Sequence, residues 1–494
     1  MLAPRIPSLV AILALAAPID LFAQQQLPVA PGDRVRVSAE HGQPKEHTPQ
    51  EASNRQSARL AGVVRDSTLE NGLLVIVART SSVPIATIEI VVRSGAFTQL
   101  EELDEGLPHV LEHMLFEYFE RRGRGWGYYT SELDATSNAA TGQEAMRFYL
   151  TLPSEHLDDG IELLCDLVRS PRFKSEPLRV ERLVVRGEIE RQASDAHALA
   201  DLVTDMVLWG PAFRQKNPAG NILTINTGVT TERLEEHHER YFVPNNAALI
   251  VTGDVEAADA FKSAEKHFGR WKRGDDPFAD FAAPPIAPLA GDSVFVVSAD
   301  ASGVTFMIRW HGPAVSEDRD ASFAADVFSE LVNQPTSGTQ RRLVDTGLFT
   351  NVFLSYVTRN NVGPIQVEAR TTFDKLGEAS AALLQELDLM GREDYFNEAD
   401  LETAKKRLRV TQALSQQSAP GLAHGIAYFW SAAGLDYFRE YFDALAAQTA
   451  DDVRRYVAQY IAGRPKVVSL LMSQELRRSN LGRVLACLDS WRAP

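Results

Sequence analysis

Leu73-Leu74-Val75-Ile76-Val77 and Ala86-Thr87-Ile88-Glu89-Ile90-Val91-Val92 are β-rich apolar runs separated by turn residues, and helical periodicity takes over from about Gly106. Strands and long helices then mix as far as Trp271. Residues 273–292 (RGDDPFADFAAPPIAPLAGD) are rich in Pro, Ala and Asp and read as an interdomain linker. After it the pattern begins again. Val304-Thr305-Phe306-Met307-Ile308-Arg309-Trp310-His311-Gly312 echoes residues 87–95, and both runs lead through an acidic loop into a helix. Residues 61–272 and 293–475 are thus read as two copies of one α/β unit, with 476–494 as a C-terminal tail.

The start of the chain adds a compartment. Arg5, the apolar run Ser8 to Ala17, Pro18 and Leu21-Phe22-Ala23 have the layout of a cleavable signal peptide over 1–23. The run is too short to span a bilayer. Residues 24–60 follow as a polar tail, so the expectation is an exported, periplasmic protein without a membrane span. A net charge of -16 from 66 acidic and 50 basic residues argues against nucleic acid as a partner. Two cysteines, Cys165 and Cys487, cannot build a disulfide framework or a four-thiolate metal site.

The chemistry sits in the first copy. His109 and His113 are four residues apart on an expected helix opened by Pro108, so their imidazoles share one face at a separation that suits a single zinc ion. Glu112, beside His113, completes an H-x-x-E-H pattern in which the carboxylate can act as general base. Zinc needs a third protein ligand. The next helix, opened by Ser175-Glu176-Pro177, offers Glu181, Glu188 and Glu190; the first two are seven apart and share a face, and spacing does not choose between them. Gly187, beside them, fits close packing against the His109 helix or simple tolerance.

The segment Gly106-Leu107-Pro108-His109-Val110-Leu111-Glu112-His113-Met114-Leu115-Phe116 resembles the signature of the M16 zinc metallopeptidases: pitrilysin, insulysin and the mitochondrial processing peptidase. Ser137-Asn138-Ala139-Ala140-Thr141 resembles that family's edge strand, and Tyr241-Phe242-Val243-Pro244-Asn245-Asn246 with Val251-Thr252-Gly253-Asp254 resembles the segment closing its first domain. The resemblance implies an α+β, LuxS-like metallohydrolase fold of two pseudo-repeated domains, each an antiparallel sheet covered by helices. It implies one zinc per chain on His109, His113 and Glu188, with Glu181 as a supporting carboxylate and Glu112 as the catalytic base. Peptide substrate would add as a strand along Asn138, Ala139, Ala140 and Thr141.

The second copy departs from the family pattern. Where active members carry an Arg and a Tyr seven apart, alignment on Gly347 gives Leu343 and Thr350, and a shifted alignment gives Arg342 and Phe349. Loss of an oxyanion donor costs roughly 10² to 10³ in rate, so the resemblance implies a zinc subunit of a two-chain endopeptidase, with a homo- or heterodimeric M16-like partner supplying Arg and Tyr. The alternative is a non-catalytic scaffold subunit. Among the other histidines, the adjacent His237 and His238 suit a solvated helix face, and His41, His47, His267 and His311 read as surface or capping residues.

Overall fold

The computed structural model describes residues 64–492 except 81–82, 170, 172 and 282–284. The expected signal peptide and polar tail lie outside the described residues. Two sheets organise the chain. The first contains β1 (Val64–Thr68), β2 (Leu74–Arg79), β3 (Ile85–Val92), β4 (Thr136–Thr141), β5 (Met146–Pro153) and β6 (Ala247–Gly253), in the order β1-β2-β6-β3-β5-β4. The second contains β7 (Ser293–Ser298), β8 (Val304–His311), β9 (Asn351–Tyr356), β10 (Pro364–Thr371) and β11 (Val467–Met472), in the order β9-β10-β8-β11-β7. Each sheet is antiparallel apart from one parallel pair, β2 with β6 and β11 with β7. The wholly antiparallel expectation is corrected there, because a long helical excursion returns the chain to the sheet in the same direction.

The inner strands of the first sheet are apolar on both faces, and each face has a different cover. Val75, Val77, Ile88, Ile90 and Val92 pack on the first half's own helices. Ile76, Ala78, Val91, Ala248 and Ile250 instead join the core of the second half. Helix exchange makes this seam. Four helices bear on the seam or the site: α1 (Leu107–Glu117), α2 (Ser175–Ser194), α3 (Ala196–Trp209) and α4 (Ala419–Ala433). From the second half, α4 lies against β3 and β6 of the first sheet, with the Thr252 hydroxyl donating to the Ala419 carbonyl at 2.7 Å. From the first half, α3 lies against β8 and β11 of the second, burying Ala200 beside Met307 and Leu471.

Residues 476–492 are not a tail. Leu481–Ser490 is a helix, and Val484, Cys487 and Trp491 are buried in the second core. Trp491 donates its indole N–H to Ser380 Oγ at 2.8 Å. The solvated reading of His237 and His238 also fails. Both are buried, His237 against Ser94 Oγ and His238 against the Val168 carbonyl, each at 2.8 Å, because the helix Thr231–Tyr241 turns that flank into the first core. His311 ends β8 half-buried, stacked on Trp209.

Candidate metal centre

α1 starts at Gly106, whose φ of 85° lies in the left-handed region that glycine tolerates, and Pro108 occupies its first turn. Its apolar residues Leu107, Val110, Leu111, Met114 and Leu115 are buried in the first core. That anchoring turns His109 and His113 toward α2 and leaves Glu112 facing the edge strand. On α2, Leu178, Val185 and Ile189 are buried, and the neighbouring face presents Glu181 and Glu188. The N-cap of α2 is Lys174 rather than Ser175. Glu190 points away and pairs with Arg186 at 2.7 Å. Gly187 meets nothing within 4 Å of a Cβ position, so close packing does not explain it.

The two helices bring His109, His113 and Glu188 together, with one potential ligand atom from each lying within 4.8 Å of the others. Glu188 Oε2 is 3.5 Å from Nε2 of His109 and 3.5 Å from Nε2 of His113. Both Nδ1 atoms are held from behind. Glu181 Oε2 stands 3.1 Å from Nδ1 of His113, and the Ala219 carbonyl stands 3.3 Å from Nδ1 of His109. These contacts leave the two Nε2 atoms facing Glu188, the tautomer and orientation that a metal-binding imidazole requires. Two imidazoles and one carboxylate fit zinc, with a coordination position left over for water.

Electrostatics point the same way. Burial by itself would lower the pKa of His113, yet hydrogen bonds to Glu181 and Glu188 push it up to about 10. The neighbouring His109 and His113 hold Glu188 well below the usual carboxylate range. Surroundings that favour a proton on His113 this strongly also favour a cation between the two rings.

Glu112 is one helical turn from His109, and its Oε2 accepts a hydrogen bond from the Thr141 hydroxyl at 2.5 Å. Thr141 closes β4, the last strand of its sheet, which pairs only with β5 among the described residues. Asn138 is exposed there, and its Oδ1 accepts the backbone N–H of Ala139 at 2.9 Å. Thr141, read from sequence as part of a peptide-binding edge, therefore also touches the candidate base. The Ala219 carbonyl was not legible, since no side chain announces it.

A second set, His197, Asp201 and Glu368, also lies close together. Here the carboxylates take opposite ring nitrogens, Asp201 on Nδ1 at 3.2 Å and Glu368 on Nε2 at 2.9 Å. Asp201 is further bound by the buried Arg309. The imidazole bridges α3 to β10 and so ties one half to the other.

In the second half both candidate pairs are engaged within the fold. Leu343 and Phe349 are buried, and Thr350 bonds the Arg370 carbonyl. Arg342 is committed to the buried Glu386 through two hydrogen bonds of 2.6 and 2.7 Å. None of the described helices is long and apolar enough to cross a membrane.

Comparison with known proteins gives the chain relatives in both sequence and fold. The insulinase (peptidase family M16) profile matches residues 74–224, and the peptidase M16 inactive-domain profile matches 228–408. A zinc protease of Rickettsia felis is 24% identical, covering 71% of this chain and 83% of its own. The mitochondrial-processing peptidase subunit beta of Caenorhabditis elegans is 26% identical, covering 70% and 76%. A protease structure from Helicobacter pylori superposes with a TM-score of 0.70 at 22% identity, covering 83% of this chain and 99% of that one. The periplasmic protease PqqL from Escherichia coli gives 0.71 at 16% identity, covering 87% of this chain and 50% of that one. With two M16 profiles in sequence order and the same two-half fold in solved relatives, the chain belongs to the M16 peptidase family.

Proposed function

We propose that this chain is a zinc-dependent endopeptidase acting on peptides and unfolded segments, exported with the help of its first 23 residues. The observation that carries the reading is the convergence of His109, His113 and Glu188, with Glu112 on the same helix face and an edge strand alongside. A bound zinc would supply a Lewis acid and a water of lowered pKa. Glu112 takes the proton of the attacking water and returns it to the leaving amine. Thr141 fixes one oxygen of that carboxylate, leaving the other for the proton. Glu181 and the Ala219 carbonyl keep both imidazoles turned inward. A peptide strand added along Asn138 to Thr141 takes over the Ala139 N–H from the Asn138 side chain.

The buried Leu343 and Phe349 and the committed Arg342 leave the second half without an oxyanion donor at the aligned positions. The reading therefore includes a partner chain with an M16-like half that supplies one. The C. elegans relative is by name a subunit, which supports this. The same observation favours a second reading, a scaffold subunit without catalysis.

Metal analysis and two variants test the proposal. The purified chain should hold one zinc that is lost in His109→Ala. Glu112→Gln should keep the zinc and lose turnover of an unfolded peptide, measured with any partner chain present. Turnover by Glu112→Gln refutes the base assignment, and a metal-free native protein favours the scaffold.

A further inference from the structure

Gln99 is fully buried, and its whole amide is engaged on loops that frame the metal centre. Its Oε1 accepts the backbone N–H of Gly106 at 2.5 Å. Its Nε2 donates to the carbonyls of Arg214 at 2.6 Å and Asn217 at 3.0 Å. The Gln99 backbone carbonyl accepts from Gln215 Nε2 at 2.7 Å, and Arg214 donates to the Leu100 carbonyl at 2.9 Å. Gln99 thus laces the chain before α1 to the chain that ends in Ala219.

Both loops bear on His109. Gly106 is the N-cap of α1 and has no side chain to cap the helix. Gln99 supplies an acceptor there from seven residues upstream. On the other loop, the Asn217 side chain donates to the Gly220 carbonyl at 3.1 Å, and the adjacent Ala219 carbonyl faces His109 Nδ1. The loops cross without slack. A Cβ on Gly220 would lie 2.2 Å from the Cα of Gly106, and the two glycines have φ of 79° and 85°. Displacing either loop shifts the Ala219 carbonyl relative to the ring it orients.

We propose that Gln99 is a positioning residue for the metal centre. By fixing the α1 N-terminus and the 214–220 loop in one register, it keeps the Ala219 carbonyl on His109 Nδ1 and so turns Nε2 toward Glu188. The proposal rests on the zinc reading above. Its energetic basis is the burial: without the amide, the Gly106 N–H and the Asn217 carbonyl lose their buried partner and the Arg214 carbonyl keeps only the Asn217 N–H, so the loops must move.

Zinc affinity, measured by competition with a chromophoric chelator, is the readout. Gln99→Leu should weaken zinc binding about 10- to 100-fold, the range for groups that orient a metal-binding histidine. Gln99→Glu keeps an acceptor for Gly106 but loses both donors, and should fall between wild type and Gln99→Leu. Gln334→Leu removes an equally buried glutamine in the second half and should leave zinc affinity unchanged. Wild-type affinity in Gln99→Leu overturns the proposal, as does an equal loss in Gln334→Leu. If Gln99→Leu does not fold, wild-type affinity in Gln99→Glu overturns it. A wild-type chain that takes up no zinc defeats the zinc reading itself, which separates that failure from this one.

Discussion

Thr141 donates its hydroxyl to Glu112 at 2.5 Å, joining the last residue of the edge strand to the carboxylate proposed to move the proton. A hydrogen bond to a charged group contributes about 1.5–3 kcal/mol, so its loss frees Glu112 to rotate away from the attacking water. Thr141→Val should lower kcat about 10- to 100-fold with zinc content unchanged. Thr141→Ser should restore most of it. Equal kcat for Thr141→Val and wild type in steady-state peptide cleavage would sink the assignment.

Glu181 and Glu188 share one face of α2, yet they touch opposite sides of His113, Glu181 at Nδ1 and Glu188 at Nε2. They should therefore separate in experiment. Glu188→Ala should bind no zinc at the centre, whereas Glu181→Gln should bind it about 10- to 100-fold more weakly because only the orientation of the ring is relaxed. Isothermal titration with zinc distinguishes them; equal effects from the two variants would contradict the geometry.

How much was legible follows from what kind of signal each feature leaves. His109, Glu112 and His113 were readable because a helix puts residues three and four apart on one face, and Glu181 with Glu188 because seven residues make two turns. Spacing did not choose between those two glutamates, since both satisfy the same periodicity; the choice of Glu188 came from the family resemblance, and in the fold the approach of α1 distinguishes them. His237 and His238 were misread because a helix flanked by charge looks solvated until a neighbouring element covers it. The exchange of α3 and α4 left no mark at all, since an apolar helix face does not say which sheet it covers. The parallel strand pairs escaped for a similar reason: periodicity gives a strand, not its neighbour.

Arg342 is structural in this fold. Its guanidinium holds Glu386, which is buried and also accepts from Thr339 at 2.9 Å and Tyr395 at 2.8 Å. Removing the cation leaves a buried carboxylate with two neutral partners. Arg342→Ala should destabilise the chain by about 1–3 kcal/mol in urea titration. KM and kcat of the folded protein should stay within twofold of wild type. A selective loss of kcat with stability intact would instead place Arg342 in substrate handling.

His237 and His238 should act on the acid limb of the stability profile, and His197 on the alkaline limb. Burial lowers His237 to about 3 and His238 to about 4, so both are neutral in the native chain and take a proton on unfolding below about 6.5. Their contribution is present above that pH and is lost as pH falls, each costing on the order of 2 kcal/mol by pH 4.5. His197 has the opposite sign. Asp201 and Glu368 raise it to about 10, so its contribution is complete below about 6.5 and is lost as pH rises toward 10. Thermal unfolding from pH 4.5 to 9.5 should therefore give a dome in Tm. His238→Gln should flatten the acid limb, and His197→Gln should flatten the alkaline limb while loosening the bridge between α3 and β10. An alkaline limb unchanged in His197→Gln would show that this imidazole does not hold the two halves together.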